Sequence, residues 1–173
     1  MEFQRTVKGC RYVVPAAFFE GKNMEIKTVY FGKIEYTEEE LIIFADGLFG
    51  FEKSHRFLPV SFKQEKDTLI CLQNVEEENL AFIAVNPFHF YPDYTPELSE
   101  QDYDRLGTRK KEEISFYTLC IAGDRPEEWK TNLRCPIAVN TVTRKAIQAI
   151  LEDASYSFHQ SFGFDLVEGE GIC

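Results

Sequence analysis

Two apolar runs separated by an acidic break constrain the fold more than any other part of the sequence. Leu69–Val75 and Leu80–Asn86 have strand length, are rich in branched and aromatic residues, and contain neither Gly nor Pro. The break between them, Glu76–Asn79, suits a hairpin loop. Both alternating faces of the second run are apolar, which is typical of a strand in a closed or two-layered sheet. The pattern predicts a central β-hairpin.

A stiff aromatic segment follows this hairpin. Pro87 ends ladder pairing because it has no backbone N–H to donate. Phe88–Tyr94 then contains four aromatic residues and a second proline, Pro92. Such a segment either seals the edge of the core or forms a surface that binds something, and the residues alone leave both readings open.

The remaining periodicity predicts mostly strands. The best helix signal is Pro96–Thr108, with Ser99 as N-cap and Gly107 as the stop. Thr37–Glu40 is read as a turn or edge, and Asp46–Glu52 as a turn with two glycines. Further strands are expected at Met24–Ile34, Leu41–Phe44, Arg56–Phe62 (broken by Pro59), Ile114–Ala122, Ile137–Asn140 and Ala146–Leu151. The sequence therefore predicts a mainly β protein, a small antiparallel β-barrel-like domain with one or two short helices.

The length of 173 residues favours one domain, and the two ends differ from the rest. Residues 1–23 are basic and carry a short apolar patch, so they are expected to be a non-native or loose extension, with Met24 as the natural start. Residues 24–158 form the expected β domain. Residues 159–173 have weak periodicity and are expected to be a flexible tail.

Charge and cysteine usage narrow the possible functions. The 19 basic and 29 acidic residues give a formal net charge of −10, which argues against direct nucleic-acid binding and fits either a basic partner or simple solubility. No apolar run approaches the ~20 residues of a membrane span. The five cysteines show no metal-ligand spacing, which indicates a reducing cytosol.

No established catalytic motif is visible. The three histidines are far apart, so neither a metal site nor a His-based constellation is expected. A Cys71–His89 dyad is conceivable, but a buried structural thiol is the favoured reading of Cys71. Asp93 and Glu97 could form an acid–base pair, although acids beside a turn more often cap or solvate it. We expect a binding protein and no enzyme.

Several short stretches between about Met24 and Phe158 form one ordered pattern. Its residues are Phe44, Gly47–Glu52, Leu72-Gln73, Ala81–Ile83, Asn86-Pro87, Pro92–Tyr94, Asn132-Leu133, Pro136-Ile137, Asn140, Arg144, Gln148 and Tyr156. In this pattern the chain resembles the FliW family of bacterial flagellar assembly factors, with one departure at Ala146, where a glycine is commoner.

The resemblance implies a cytoplasmic, non-enzymatic protein with two protein partners. These are flagellin and the RNA-binding translational regulator CsrA, which the FliW-like protein would antagonise until new flagellin sequesters it. No cofactor, metal, small-molecule substrate, membrane or direct nucleic-acid contact is implied. The candidate partner-binding residues are Leu48, Phe49, Glu76, Glu77, Glu78, Pro92, Asp93, Tyr94, Glu97, Asn132 and Leu133, with Glu100, Asp102 and Asp104 as further acids for a basic partner.

Two alternatives belong to other classes. A small β-barrel that binds oligonucleotides would need a basic stripe beside its aromatics, and the sequence has only the aromatics. A thiol enzyme using Cys71 or Cys120 would need a thiolate that reacts in the folded state.

Overall fold

A computed structural model describes residues 3–7, 10–14, 23–62 and 68–161, the first two ranges as backbone alone. The strands are β1 Phe3–Val7, β2 Cys10–Val14, β3 Met24–Thr28, β4 Gly32–Tyr36, β5 Ile42–Phe44, β6 Arg56–Ser61, β7 Leu69–Asn74, β8 Ala81–Val85, β9 Ile114–Ile121, β10 Lys130–Thr131, β11 Ile137–Asn140, β12 Lys145–Gln148 and β13 Gln160–Ser161. Helix α1 is Glu100–Leu106, and single 3-10 turns lie at Glu38–Glu40, Pro87–His89, Lys111–Glu113 and Pro126–Glu128.

Seven strands close into a barrel. Their order is β5, β6, β7, β8, β9, β11, β12 and back to β5. The last pairing, β12 with β5, is parallel and places Ala146 opposite Phe44, whereas the other six are antiparallel. Closure leaves these strands few unpaired edges. The predicted mainly β, barrel-like fold is confirmed, with one parallel pair that hydrophobic alternation does not reveal.

The interior of the barrel is a continuous apolar core. Phe44 and Phe57 have no exposed surface, and their rings meet edge to face with centroids 5.5 Å apart. Alternation along each strand directs every second side chain inward. The buried members of this core are Ile42, Phe44, Leu48, Phe57, Ile70, Leu72, Ala84, Ile137, Val139 and Ala146.

The predicted central hairpin and helix are confirmed. β7 and β8 pair antiparallel with Cys71 opposite Ile83. In α1, Ser99 and Asp102 form a reciprocal capping box, and Gly107 ends the helix with a φ of +71°. Leu106 is fully buried in an apolar cluster on the outer face of β11 and β12, which fixes the helix against the barrel.

The expected single strand over residues 24–34 is wrong. The chain reverses after Thr28, so β3 and β4 form their own antiparallel hairpin. The Thr28 hydroxyl accepts a hydrogen bond from the Phe31 backbone N–H at 2.9 Å and donates to Gly32 O at 2.8 Å. Gly32 adopts a φ of +70°, which favours glycine. The hairpin buries Ile26 and its neighbours against the outer face of β6 and β7.

The expected break at Pro59 does not occur. The Phe62 backbone N–H donates to Leu69 O, so the backbone of Phe62 points toward β7. Along a strand the backbone groups of successive residues point alternately to one neighbouring strand and the other, and Pro59 lies three residues before Phe62. Pro59 therefore faces away from β7, toward β5. Since β5 pairs only with Arg56 and Phe57, no ladder bond is lost at the proline.

The acidic turn before β5 is more ordered than expected. Thr37 and Glu40 form a capping box around the single 3-10 turn Glu38–Glu40, with the Thr37 backbone N–H donating to the Glu40 carboxylate at 2.6 Å.

At the chain ends, β1 pairs with β2, and β13 pairs with β10. The expected loose extension over 1–23 stays a prediction, and most of the expected tail, residues 162–173, lies outside the described part of the chain.

Candidate functional site

A groove of about 750 Å³ lies where the loop into α1, the turn after β5 and the segment after β12 meet. The first wall comes from residues 95–102 and Arg105, and the second from Phe49 and residues 148–153. Its position follows from the parallel β5–β12 pair, because two parallel strands bring the segments that follow them to the same end of the barrel.

The turn after β5 sends one side chain inward and the next outward. Leu48 is 1% exposed in the barrel core, whereas Phe49 is 52% exposed in the groove. Gly47 makes this possible with a φ of +70°, and a Cβ there would lie 2.5 Å from Phe51 O. Only glycine fits that backbone position without a rearrangement.

A hydrogen bond across the groove floor fixes the turn. The backbone N–H of Phe49 donates to Gln148 Oε1 at 2.9 Å. Gln148 is the last residue of β12 and is 7% exposed. Because the acceptor belongs to a barrel strand, the position of Phe49 is tied to the barrel.

The other wall is held by aromatic residues. The Thr95 backbone N–H donates to the Tyr156 hydroxyl at 3.1 Å, and the Tyr156 ring meets Tyr94 with centroids 4.8 Å apart. Tyr94 is 3% exposed and donates its hydroxyl to Leu133 O at 2.8 Å. These contacts fix the loop that enters α1.

Apolar and acidic side chains line the groove together. Ile150 is 60% exposed in the groove that also holds Phe49, and Leu151 adds a buried apolar side chain to the lining. The lining also contains one basic and four acidic residues: Arg105, Glu97, Asp102, Glu152 and Asp153.

Two of the four carboxylates that line the groove lie near a cation: Asp102 is paired with Arg105, and the charge of Arg134 acts on Asp153. Arg105 pairs with Asp46 at 2.6 Å and with Asp102 at 3.6 Å. Among the described side chains, Glu97 and Glu152 have no ion-pair partner. A hydrogen bond from the Ser155 backbone N–H holds the pKa of the Asp153 carboxyl below its ordinary value, so this group stays ionised in mild acid. The groove can therefore attract a cationic, partly apolar ligand.

The structure brings three of the predicted partner-binding residues together. Phe49 and Glu97, 48 positions apart, line the same groove, and so does Asp102, one of the further acids. Pro92 and Asp93 are exposed on the turn before α1 but are not among the lining residues. Asn132 is half-buried, and its side-chain oxygen accepts a hydrogen bond from Cys135 N–H at 2.8 Å.

Three predicted binding residues are part of the core. Leu48, Tyr94 and Leu133 are 1%, 3% and 4% exposed. Their side chains cannot contact a partner in this conformation, so they can only support residues that do. Phe88, in the aromatic segment whose role the residues alone leave open, is 41% exposed, and its ring contacts that of Tyr94.

The predicted acidic loop forms a separate, exposed turn between β7 and β8. Glu76, Glu77 and Glu78 are all exposed and do not line the groove. The Asn74 side-chain oxygen accepts hydrogen bonds from Glu76 N–H at 2.8 Å and Glu77 N–H at 2.7 Å. The fully buried Gln73 amide donates to Glu78 O at 3.0 Å. Two buried polar residues of β7 thus fix the shape of this turn.

Sequence reasoning missed most of the groove, since only Phe49, Glu97 and Asp102 of its lining residues were candidates. Ile150 was not a candidate because the run Ala146–Leu151 was read as strand throughout, and no pattern singled out Glu152 and Asp153. The strand does form, but it ends at Gln148, and Ile150 lies exposed beyond it. The apolar composition of the run does not show at which residue the strand ends.

The thiols have the properties of core residues. Cys71 has no exposed surface, and burial raises its pKa to about 12. Burial likewise raises the pKa of Cys120 to about 12. Such thiols are almost entirely protonated at neutral pH, which argues against either one as a nucleophile.

The described residues contain neither a group of metal ligands nor a helix that could cross a membrane. In residues 23–62 and 68–161, no three His, Cys, Asp or Glu side chains are grouped so that they could hold a metal ion. The helices within the described ranges are all too short or too polar to cross a membrane.

The fold and the groove define a closed β-barrel protein with a preformed, acidic and partly apolar groove on its surface. Residues 25–162 match the family described as FliW protein. The chain therefore belongs to the FliW family.

Relatives and a solved structure agree with that assignment. Proteins named Flagellar assembly factor FliW from Exiguobacterium sp., Magnetococcus marinus and Caldanaerobacter subterraneus subsp. tengcongensis are 37%, 36% and 32% identical over 131, 133 and 133 residues. These alignments cover 76%, 76% and 77% of this chain and 90%, 82% and 89% of the relatives. A crystal structure of the flagellar assembly factor FliW matches with a TM-score of 0.73 at 26% identity, covering 80% of this chain and 96% of that one.

Proposed function

We propose that this chain is a cytoplasmic, non-enzymatic flagellar assembly factor that binds flagellin and antagonises the translational regulator CsrA. Membership of the FliW family supports the role in flagellar assembly. Binding one partner would lower the affinity for the other, so that flagellin synthesis follows flagellin secretion.

The observation that carries the flagellin part is the exposure of Phe49 and Ile150 in the same preformed groove. Amphipathic helices dock by placing an apolar stripe into such grooves. Burying one large apolar side chain contributes about 1.5–3 kcal/mol. The hydrogen bond from Phe49 N–H to Gln148 fixes one wall before binding, which lowers the ordering cost.

The acidic surface supports the CsrA part. A regulator that binds RNA must present basic residues, and a chain with a net charge of −10 attracts such a surface. The exposed turn at Glu76–Glu78 and the acids of the groove are two of the places in the described structure where acidic side chains lie together. Bound beside the RNA site, these carboxylates would repel phosphates within a Debye length of about 8–10 Å.

Retention of purified flagellin on immobilised protein tests the proposal. Phe49→Ala and Ile150→Ser are expected to weaken retention at least about tenfold, because each removes an apolar contact of about 1.5–3 kcal/mol. Val142→Ser is the matched control, since Val142 is 70% exposed but lies in the turn between β11 and β12, outside the groove. Normal flagellin binding by folded Phe49→Ala and Ile150→Ser proteins would remove the groove from the mechanism.

A further inference from the structure

We propose that the groove binds an amphipathic helix whose apolar stripe is flanked by lysine or arginine residues. This inference rests on the proposed function, in which the groove takes a helix of a partner protein, and it adds the chemistry that selects the helix. It concerns the surface formed by Phe49, Glu97, Asp102, Ile150, Glu152 and Asp153.

The apolar part of the surface suits a helix and not an extended peptide. Phe49 and Ile150 project from two different segments, and Leu98 adds a half-buried apolar side chain from a third. No strand edge is offered here for main-chain pairing, because β5 and β12, which lead into the groove, each have a neighbour on both sides. An amphipathic helix can place its apolar stripe in this groove without forming backbone hydrogen bonds to the barrel.

The charges decide which helix is accepted. Four carboxylates and one guanidinium line the groove, and the guanidinium of Arg105 already pairs with Asp46 and Asp102. Glu97 lies on the wall that leads into α1, and Glu152 lies on the opposite wall with Phe49 and Ile150, so both walls of the groove carry an acidic group. A docked helix with basic flanks would meet opposite charges on both sides, whereas an acidic helix would meet like charges.

The chain's own C-terminal residues do not fit this description. Residues 162–173 contain three acidic and no basic residues, Asp165, Glu168 and Glu170 being the acids. Their charge has the same sign as that of the groove. The basic residues Arg5 and Arg11, near the other end of the chain, lie in the paired strands β1 and β2 and so offer no helix. Charge complementarity therefore points to a second molecule with basic flanks.

Fluorescence anisotropy with two synthetic helical peptides tests the inference on the full chain. Both peptides carry leucines at helical spacing, and they differ only in whether lysines or glutamates flank the leucines. At an ionic strength near 0.15 M, we expect the lysine peptide to bind at least tenfold tighter than the glutamate peptide. Ile150→Ser should reduce binding of the lysine peptide at least tenfold.

Charge-matched double variants separate the groove from the overall charge. Glu97→Gln with Glu152→Gln should cut the preference for the lysine peptide at least fivefold. Glu76→Gln with Glu77→Gln makes the same change in net charge outside the groove and should alter it less than twofold. Equal effects of the two double variants would overturn the inference.

Other outcomes also overturn it. Equal affinity for the two peptides, or no binding of either by the folded protein, would exclude charge selection by the groove. If flagellin retention still falls with Phe49→Ala in that case, the proposed function stands and only this inference fails. Concentration-dependent self-association that Ile150→Ser abolishes would make a second copy of this chain the occupant and would likewise overturn it.

Discussion

The backbone N–H of Phe49 donates to the side-chain oxygen of Gln148 at 2.9 Å, although the two residues lie 99 positions apart. This bond ties the most exposed part of the turn after β5 to the last residue of β12. It explains how a surface phenylalanine can be held in place without being buried.

Gln148→Ala is therefore expected to weaken flagellin binding as well as the fold. Losing one hydrogen bond beside solvent costs about 1 kcal/mol of unfolding free energy. Flagellin binding should fall about fivefold or more, because the groove wall then has to be ordered on binding. Urea unfolding and flagellin titration on the same preparation measure both; unchanged affinity would show that the hydrogen bond does not position Phe49.

Two glycines of the same turn provide a matched test of backbone strain. Gly47→Ala should lower the free energy of unfolding by about 2–5 kcal/mol, because it adds a steric overlap with Phe51 O to an unfavourable positive φ. Gly50→Ala has a φ of +81° but open space around the new methyl group, so about 1–2 kcal/mol is expected. Equal losses in urea unfolding would contradict this account of the turn.

The buried thiols should resist alkylation in the folded protein. With pKa values of about 12, Cys71 and Cys120 are ionised in roughly one molecule in ten thousand at pH 8, against about a quarter for an ordinary thiol. Mass spectrometry of iodoacetamide-treated protein should find both unmodified until urea unfolds the chain. Rapid native labelling of either one would revive the thiol-enzyme alternative.

Stability should decline in alkaline solution. Burial raises the pKa of Cys71 from 9.0 to about 12, because the neutral thiol is favoured inside the fold. Above about pH 9 the unfolded chain releases a proton that the folded chain keeps, so the contribution present below pH 9 is lost progressively up to about pH 12. The buried phenols of Tyr91 and Tyr94 act in the same direction.

A cysteine variant isolates one contribution to that decline. Each such group can remove up to about 1.4 kcal/mol per pH unit. Cys71→Ala deletes one of them and should flatten the dependence of unfolding free energy on pH between about 9 and 11. Identical slopes for the variant and the parent protein would mean that Cys71 titrates as readily in the folded as in the unfolded state.

The complex with CsrA should depend strongly on salt. Attraction between an acidic chain and a basic surface is screened as ionic strength rises, since the Debye length falls from about 30 Å at 0.01 M to about 8 Å at 0.15 M. Calorimetric titrations at both salt concentrations should show clearly weaker binding at the higher one. A flat response would remove the electrostatic part of the mechanism while leaving binding itself possible.

Local sequence signals predicted the barrel well. The hairpin around Glu76–Asn79 and the helix between Ser99 and Gly107 depend on alternation, capping residues and a stop glycine, all of which act over a few residues. The reversal after Thr28 was missed because Val29–Phe31 has strand-like composition, and a threonine hydroxyl makes the turn.

The groove could be predicted only in part. Phe49 and Glu97 stood out as an exposed-looking aromatic and an acid beside a turn, but nothing local places them together. Phe49 reaches the groove through the parallel β5–β12 pair, a contact between strands about 100 residues apart, whereas Glu97 belongs to the loop whose Thr95 N–H donates to Tyr156. The exposure of Ile150 could not be predicted either, because it depends on the residue at which β12 stops pairing.

Competition by size exclusion tests the central claim, which is that this protein acts by exchanging one partner for another. A complex of the purified chain with CsrA is formed first, and flagellin is then added in increasing amounts. The account predicts that CsrA elutes free while the chain moves into a flagellin complex, and that Ile150→Ser prevents the exchange. A stable assembly of all three proteins, or a CsrA complex that ignores excess flagellin, would contradict it.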